Sequence, residues 1–222
     1  MTKREKDIVL VLRNFRYRDN RFIIDVFSKK EGKISLGFTA SKRAGSASKR
    51  ILLRPPNWVE IEYLKSARFH PKITGVRPVW VYRSLHSDLR KSAVALFITE
   101  VLHHILNAPD IKLFDNLLLM FKNLDEKNFN PDFHLMFLKE ITAYSGIWPG
   151  DQENGIIFAF EKIKPLTRKE KQVLQHFLRF GTTSSHEERR LTLKLWLDYL
   201  AYHLEGFRYP KSLEIYNEVF DR

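Results

Sequence analysis

"RFIIDVFSKKEGKISLGFTA", residues 21–40, reads as two strands joined by a turn. Phe22, Ile24 and Val26 alternate with Ile23, Asp25 and Phe27. Side chains of a strand point to opposite faces in turn, so alternation of this kind is the strand period. "KKEG" at 29–32 is the turn, and Lys33 to Ala40 returns as the next strand. Upstream, Ile8, Leu10 and Leu12 alternate with Val9 and Val11. Downstream, "NWVEIEYL" (57–64) alternates again after Pro55-Pro56, and "KITGVRPVW" (72–80) is a last short strand broken at Pro78. Five short strands in about 80 residues suit a small barrel or sandwich, with the five-stranded OB-fold as the candidate.

Beyond Arg83 the period becomes helical. "HSDLRKSAVALFITEVLHHIL" (86–106) has no charge between Lys91 and Glu100, as expected of a buried central helix, and Ser87 is its expected N-cap. A second helix is expected over 111–124, and a third from Asn130-Pro131 to about Gly146. "GIWPGDQENG" (146–155) reads as irregular and "IIFAFEKI" after it as a short strand. Thr167 with Glu170 and Ser185 with Glu188 are capping-box pairs that open two more helices, and "PKSLEIYNEVF" closes the chain as a short helix. The predicted class is α+β: an OB-fold β-barrel domain over 1–83, then an all-α helical domain over 84–222.

Charge follows the same division. The chain of 222 residues carries a net +12. Residues 1–83 hold 20 Lys and Arg against 7 Asp and Glu, whereas 84–222 hold 18 against 19. So one-sided a field favours a polyanion, either nucleic acid or an acidic membrane surface. No apolar run approaches the roughly 20 residues of a membrane helix, and "MTKREKDIVLVLR" is charged too soon for a signal peptide. The expected location is cytoplasmic. With no cysteine, disulfides and thiolate metal ligation are excluded.

Few patterns suggest catalysis. There is no Walker loop and no G-x-G-x-x-G. Glu100 and His103 have the spacing of half a di-iron site, but a second such motif is missing, which favours a structural histidine. Ser84, His86 and Asp88 read as helix-start residues, and no enzyme site is expected. The basic β-region is more informative. Arg13, Arg16, Arg18, Arg21, Lys29, Lys30 and Lys33 interleave with Phe15, Tyr17, Phe22 and Phe38, the mixture of cations and ring faces that holds single strands. "SKRAGSASKRILLR" (41–54) sets Lys42, Arg43, Lys49, Arg50 and Arg54 around a small, pliable centre, which reads as a phosphate-clamping loop. The expected DNA-binding residues are Arg13, Arg16, Arg18, Arg21, Lys33, Lys42, Arg43, Lys49, Arg50 and Arg54.

The ordered set of motifs resembles the bacterial RecO family of recombination mediators over nearly the whole chain. "DIVLVLRNFRYRDNRFIIDVFSKKEGKISLGFTASKRAGS" (7–46) is similar to that family's opening, and "LRKSAVALFITEVLHHIL" (89–106) resembles its first long helix. "FHLMFLKEITAYSGIWP" (133–149) resembles its helix ending in a Gly-aromatic-Pro turn, and "LWLDYLAYHLEGFRYPKSLEIYNEVF" (195–220) its closing helical segment. The resemblance implies a protein without turnover that binds single- and double-stranded DNA and anneals complementary strands. It implies contacts with RecR and with the C-terminal tail of the single-stranded DNA-binding protein, and assistance to RecA loading. An acidic, phenylalanine-ended tail needs an apolar pocket with a cation at its lip. Candidate cations are Lys122, Lys139, Arg168, Lys169, Lys171 and Arg179. Many family members carry a four-cysteine zinc module after the third helix; this chain has no cysteine there, so no metal or other cofactor is expected. The alternative class is an RNA-binding OB-fold protein of translation or RNA processing.

Overall fold

The computed structural model describes residues 3–41, 45–65, 71–150 and 152–220. Its elements in chain order are β1 (Lys3–Arg18), β2 (Arg21–Ser28), β3 (Gly32–Thr39), α1 (Ser46–Leu52), β4 (Trp58–Lys65) and β5 (Lys72–Pro78). Then come α2 (Leu89–Ile105), α3 (Ile111–Glu126), α4 (Phe133–Tyr144), α5 (Glu153–Glu161), α6 (Arg168–Phe180), α7 (His186–His203) and α8 (Ser212–Phe220). The strands close into a barrel in the order β1-β2-β3-β5-β4, the connectivity of an OB-fold, and the fold class is α+β. Antiparallel pairing of β1 with β4 completes one side, and a short parallel contact at Gly37 and Lys72 closes the other.

The alternation seen in the sequence sets the barrel interior. Val9, Val11, Ile24, Val26, Leu36, Phe38, Val59, Ile61, Tyr63 and Ile73 form one buried cluster, with Leu53 from the end of α1 joining it. On the opposite face Leu10 and Leu12 of β1, Phe27 of β2 and Trp58 of β4 are also buried, which an isolated barrel could not satisfy. Trp58 meets Phe114 edge-on at 5.1 Å and Phe121 at 6.1 Å, and Phe27 meets Phe114 at 5.9 Å. The helices therefore begin inside the barrel's own packing. By packing, the chain forms two compact units, Met1–Asn128 with Lys211–Arg222, and Phe129–Pro210. The change from strand to helix falls near Arg83, while the compact units divide after Asn128.

Within the first unit, α8 joins α2 through Glu100. Its carboxylate accepts hydrogen bonds from the Lys211 and Ser212 backbone N–H groups and from the Ser212 hydroxyl, at 2.9, 2.8 and 2.7 Å. That satisfies donors at the start of α8 which the helix itself cannot. Residues 107–109 press on Gly32, at the start of β3. Gly32 has φ +75°, and a Cβ there would lie 2.3 Å from the Asn107 carbonyl oxygen, so glycine is required on two counts.

In the second unit, Thr167 and Glu170 form the reciprocal capping box of α6. Ser185 accepts from the Glu188 N–H, while the Glu188 carboxylate accepts from Ser184 N–H, one residue earlier than a reciprocal box requires. His134 is fully buried; burial, with Arg189 nearby, pushes its pKa down to about 3, so it is neutral at physiological pH.

Four local expectations are corrected. Residues 46–52 of the expected pliable loop form α1, because Ala47, Lys49, Arg50 and Leu52 are good helix formers and Leu52 and Leu53 have the barrel interior to pack against. The stretch after Gly155 is helical rather than a strand: Ile156, Ile157 and Phe160 share a buried face while Phe158 is 59% exposed. The N-cap of α2 is Asp88, whose carboxylate accepts from the Arg90 and Lys91 N–H groups. Helix α4 begins at Phe133, because Asn130 and Pro131 build the turn before it.

Candidate nucleic-acid interface

The β1–β2 hairpin carries four of the expected cations. Pairing shifts between Val11 and Arg13 and again between Arg16 and Arg18. Such irregularities turn a strand and re-aim its side chains. Up to Val11, the odd positions of β1 face the core; beyond the first shift, Arg13 pairs with Asp25 and Phe15 with Ile23, on the outer face. Arg16 pairs with Phe22 at the rim of the interior, and Arg18 stands opposite Arg21 at the last pair. Arg13, Arg16, Arg18 and Arg21 are all exposed.

The rings here lie beneath cations. The Arg13 guanidinium is 4.8 Å from the Phe15 centroid, and that of Arg18 is 5.3 Å from Tyr17. Arg50, projecting from α1, lies 5.0 Å from Phe22, so the helix and the hairpin meet at that ring. The hairpin tip is fastened to the end of β3: Asn20 accepts from the Ala40 N–H at 2.7 Å and donates through Nδ2 to the Ala40 carbonyl at 3.0 Å. Asn14 donates to the Leu53 carbonyl at 2.8 Å, which brings exposed Arg54 to the hairpin's base. Lys49 donates to the Thr74 carbonyl at 3.1 Å. Lys42 and Arg43 lie outside the described residues.

Lys33 does not join this group. Its amine donates to the His103 carbonyl at 2.8 Å at the end of α2, and burial lowers its pKa. Asp25 is held there too, accepting from Ser35 at 2.5 Å and facing His103 Nε2 at 3.0 Å. Burial pulls the Asp25 carboxyl upward, but His103, Ser35 and the Arg13 charge together hold it below the ordinary aspartate value. Lys29 pairs with Asp115 at 2.7 Å and Lys30 donates to the Lys6 carbonyl, both at the far end of β2. Phe38 is 5% exposed and belongs to the core. Lys72, which sequence reasoning missed, is exposed beside Gly37. Only barrel closure puts it there, so no local pattern could have marked it.

Ion pairs engage three of the candidate partner cations and, among the described residues, none of the hairpin arginines. Among the described residues, Arg13, Arg16, Arg18, Arg21, Arg50 and Arg54 take part in no ion pair. In the second unit Lys169 pairs with Glu187, Lys171 with Glu161 and Arg179 with Glu153. Arg168 is exposed in the first turn of α6, and Lys122 belongs to the first unit, 4.6 Å from the Trp80 ring. Lys139 stands 5.9 Å from Trp148, and both line a cavity of about 420 Å³ with Glu153, Ile156 and Leu178. Of the six candidate partner cations, the structure brings Lys139 to this pocket and Arg179 to its Glu153.

The segment after α4 holds no cysteine and is built from aromatic contacts. Trp148 stacks on Trp196 at 6.0 Å, and the Tyr199 hydroxyl donates to the Ile147 carbonyl at 2.7 Å, so aromatic packing secures the segment after α4. Among the described residues, no three His, Asp or Glu side chains converge as metal ligands would. Nor is any helix of the described residues long and apolar enough to cross a membrane.

Fold and site together define a class: an α+β protein built on an OB-fold barrel, with exposed arginines gathered at one end. No family model matches the chain. It is 28% identical to the DNA repair protein RecO of Flavobacterium psychrophilum, over 97% of this chain and 98% of that one. It is also 28% identical to the protein of the same name from Phocaeicola vulgatus, over 97% and 99%. With that of Christiangramia forsetii it shares 30% identity over 72% of this chain and 71% of the other. The chain belongs to the RecO family of DNA repair proteins.

Proposed function

We propose that the chain is a recombination mediator that works by binding rather than turnover. It holds single- and double-stranded DNA at the hairpin end of the barrel, anneals complementary strands, and assists RecA loading together with RecR. The observation that carries this reading is the pairing of Arg18 with Arg21, like charges directly opposite one another on a hairpin whose other arginines are also outside ion pairs among the described residues. Like-charged cross-strand pairs destabilise a sheet, so their presence fits a bound polyanion that neutralises both. The labour divides, with DNA on the barrel and partner docking on the helices.

The pocket beside Lys139 supports the docking half. Trp148, Ile156 and Leu178 offer an apolar seat, and Lys139 places a cation at its edge. That chemistry suits the acidic, phenylalanine-ended tail of the single-stranded DNA-binding protein.

Titration of the full chain with a fluorescent single strand over a salt series tests the DNA reading. Contact with about four phosphates gives a log–log slope near −3, at about −0.7 per phosphate for single strands. A flat dependence contradicts electrostatic holding. A tail peptide added to the same chain is expected to bind in the micromolar range. Removal of its terminal phenylalanine, or Lys139→Glu in the protein, is expected to abolish that binding, and unchanged binding in both cases places the tail elsewhere.

A further inference from the structure

The outer face of the barrel has a closed half and an open half. At Asp25, Lys33 and Ser35 it is covered by the end of α2 through His103. Toward the hairpin tip the face stays open, and the register lays out one row across four strands: Phe15 opposite Ile23, Ile23 opposite Gly37, Gly37 opposite Lys72. All four positions face outward, because their neighbours Ile24, Leu36, Phe38 and Ile73 face the core. The row reads as ring, aliphatic chain, bare backbone, amine. Tyr17 lies beyond this row, within the second register shift of β1, and is 59% exposed, against 36% for Phe15.

Two large rings at the surface of a strand, each with a guanidinium against it, are poorly explained by folding alone. Phe22 and Phe38 show the contrast, since they pack on or within the barrel core. Nucleobases stack on exposed aromatic faces whatever their sequence, and an adjacent cation meets the phosphate that accompanies the base. Gly37 adds no side chain of its own to the floor beside Ile23.

We infer that Phe15 and Tyr17 form a base-stacking platform that makes this site favour unpaired bases. In a duplex the bases are already stacked on one another, so the platform adds nothing and the arginines alone hold the phosphates. The inference rests on the proposed DNA-binding role and adds to it the chemical form of the ligand.

The test compares a thymidine 20-mer, an abasic 20-mer with the same phosphates, and a 20-base-pair duplex, by fluorescence anisotropy with the full chain. The wild type is expected to bind the thymidine strand about tenfold or more tighter than the abasic strand. Phe15→Leu with Tyr17→Leu is expected to remove that difference and leave abasic and duplex binding within about twofold. Gly37→Val checks the platform independently. Among the described residues a Cβ at Gly37 meets only the Pro71 carbonyl oxygen, at 3.7 Å, so the backbone there accepts a Cβ while the floor is obstructed. It is expected to weaken thymidine binding more than abasic binding. Equal wild-type affinity for base-bearing and abasic strands would overturn the platform while leaving the phosphate site intact. So would a double variant that loses all three ligands equally. A wild type that bound none of the three would remove the DNA reading itself, and the platform with it.

Discussion

A chain carrying Arg18→Glu, Arg21→Glu and Arg50→Glu is expected to bind single-stranded DNA about a hundredfold more weakly than the wild type, while melting within about 4 °C of it. Each reversal removes a phosphate partner and adds a repulsion. At about 1 kcal/mol or more per exposed contact, three reversals reach roughly a hundredfold. The fold should tolerate them, because all three side chains are exposed and outside ion pairs among the described residues, and surface changes of this kind stay within about 0.5 kcal/mol each. Arg18→Glu alone gives a sharper signature. It places a carboxylate opposite Arg21, so stability should rise by a few tenths of a kcal/mol to about 1 kcal/mol even as DNA affinity falls. Opposite signs in melting and binding are what a functional, destabilising like-charge pair requires. A variant that lost both together would mark Arg18 as structural.

Asp125→Ala is expected to lower the stability of the first unit by about 3–5 kcal/mol, or roughly 10 °C in melting temperature for a chain of this size. Asp125 is 1% exposed, and its carboxylate accepts from the backbone N–H groups of Arg83, Ser84 and Leu85 at 2.8–3.1 Å. Lys91, 5% exposed, donates to the Asp125 carbonyl at 2.7 Å, the Lys127 carbonyl at 2.9 Å and the Ser84 hydroxyl at 2.7 Å. Together they clasp the segment that leads from β5 into α2. Removing the carboxylate leaves three backbone donors without their acceptor, the one on Leu85 fully buried, and strips a buried ammonium of its nearby counter-charge. Burial pulls the Asp125 carboxyl upward, but the three donated hydrogen bonds and the Lys91 charge hold it below the ordinary aspartate value. The folded state therefore binds that proton less readily than the unfolded state does. The stabilisation is complete above about pH 5 and drains away as the pH falls below about 4. Circular-dichroism melts at pH 7 and pH 3 check both halves, since the variant should lose less than the wild type on acidification. A loss under about 1 kcal/mol at pH 7 would mean that the clasp is dispensable.

The barrel was legible because period-2 apolar alternation is plain in β2, β3 and β4, beside the nearly continuous apolar run Ile8–Leu12 of β1. Helix α1 was not. Ala-Gly-Ser-Ala-Ser has no apolar face, and the reason for a helix there, Leu52 and Leu53 reaching the barrel interior, exists only once the barrel closes. The stretch that forms α5 has the look of a strand in the sequence because Ile156 to Phe160 is nearly all apolar, and a short apolar run does not reveal its period. The packing of the first unit was hidden for a related reason. Both faces of β1 looked apolar in the sequence, but only the structure shows Phe114 and Phe121 of α3 against Trp58 of the neighbouring β4. At the site, the arginines and rings of the hairpin could be read directly. Charge alone did not show that Lys33 is committed to the His103 carbonyl, nor that Lys72 lies beside Gly37, since each depends on a contact between distant segments.

The central claim is a location: DNA lies on the β1–β2 hairpin. Photocrosslinking tests it most directly. A 20-mer single strand carrying 5-iododeoxyuridine is irradiated with the full chain at low salt, and the linked peptides are mapped by mass spectrometry. Crosslinks are expected within Arg13–Ile23, foremost at Phe15 and Tyr17, and to fade as salt is raised. Crosslinks confined to Phe129–Pro210, with none on the hairpin, would contradict the account.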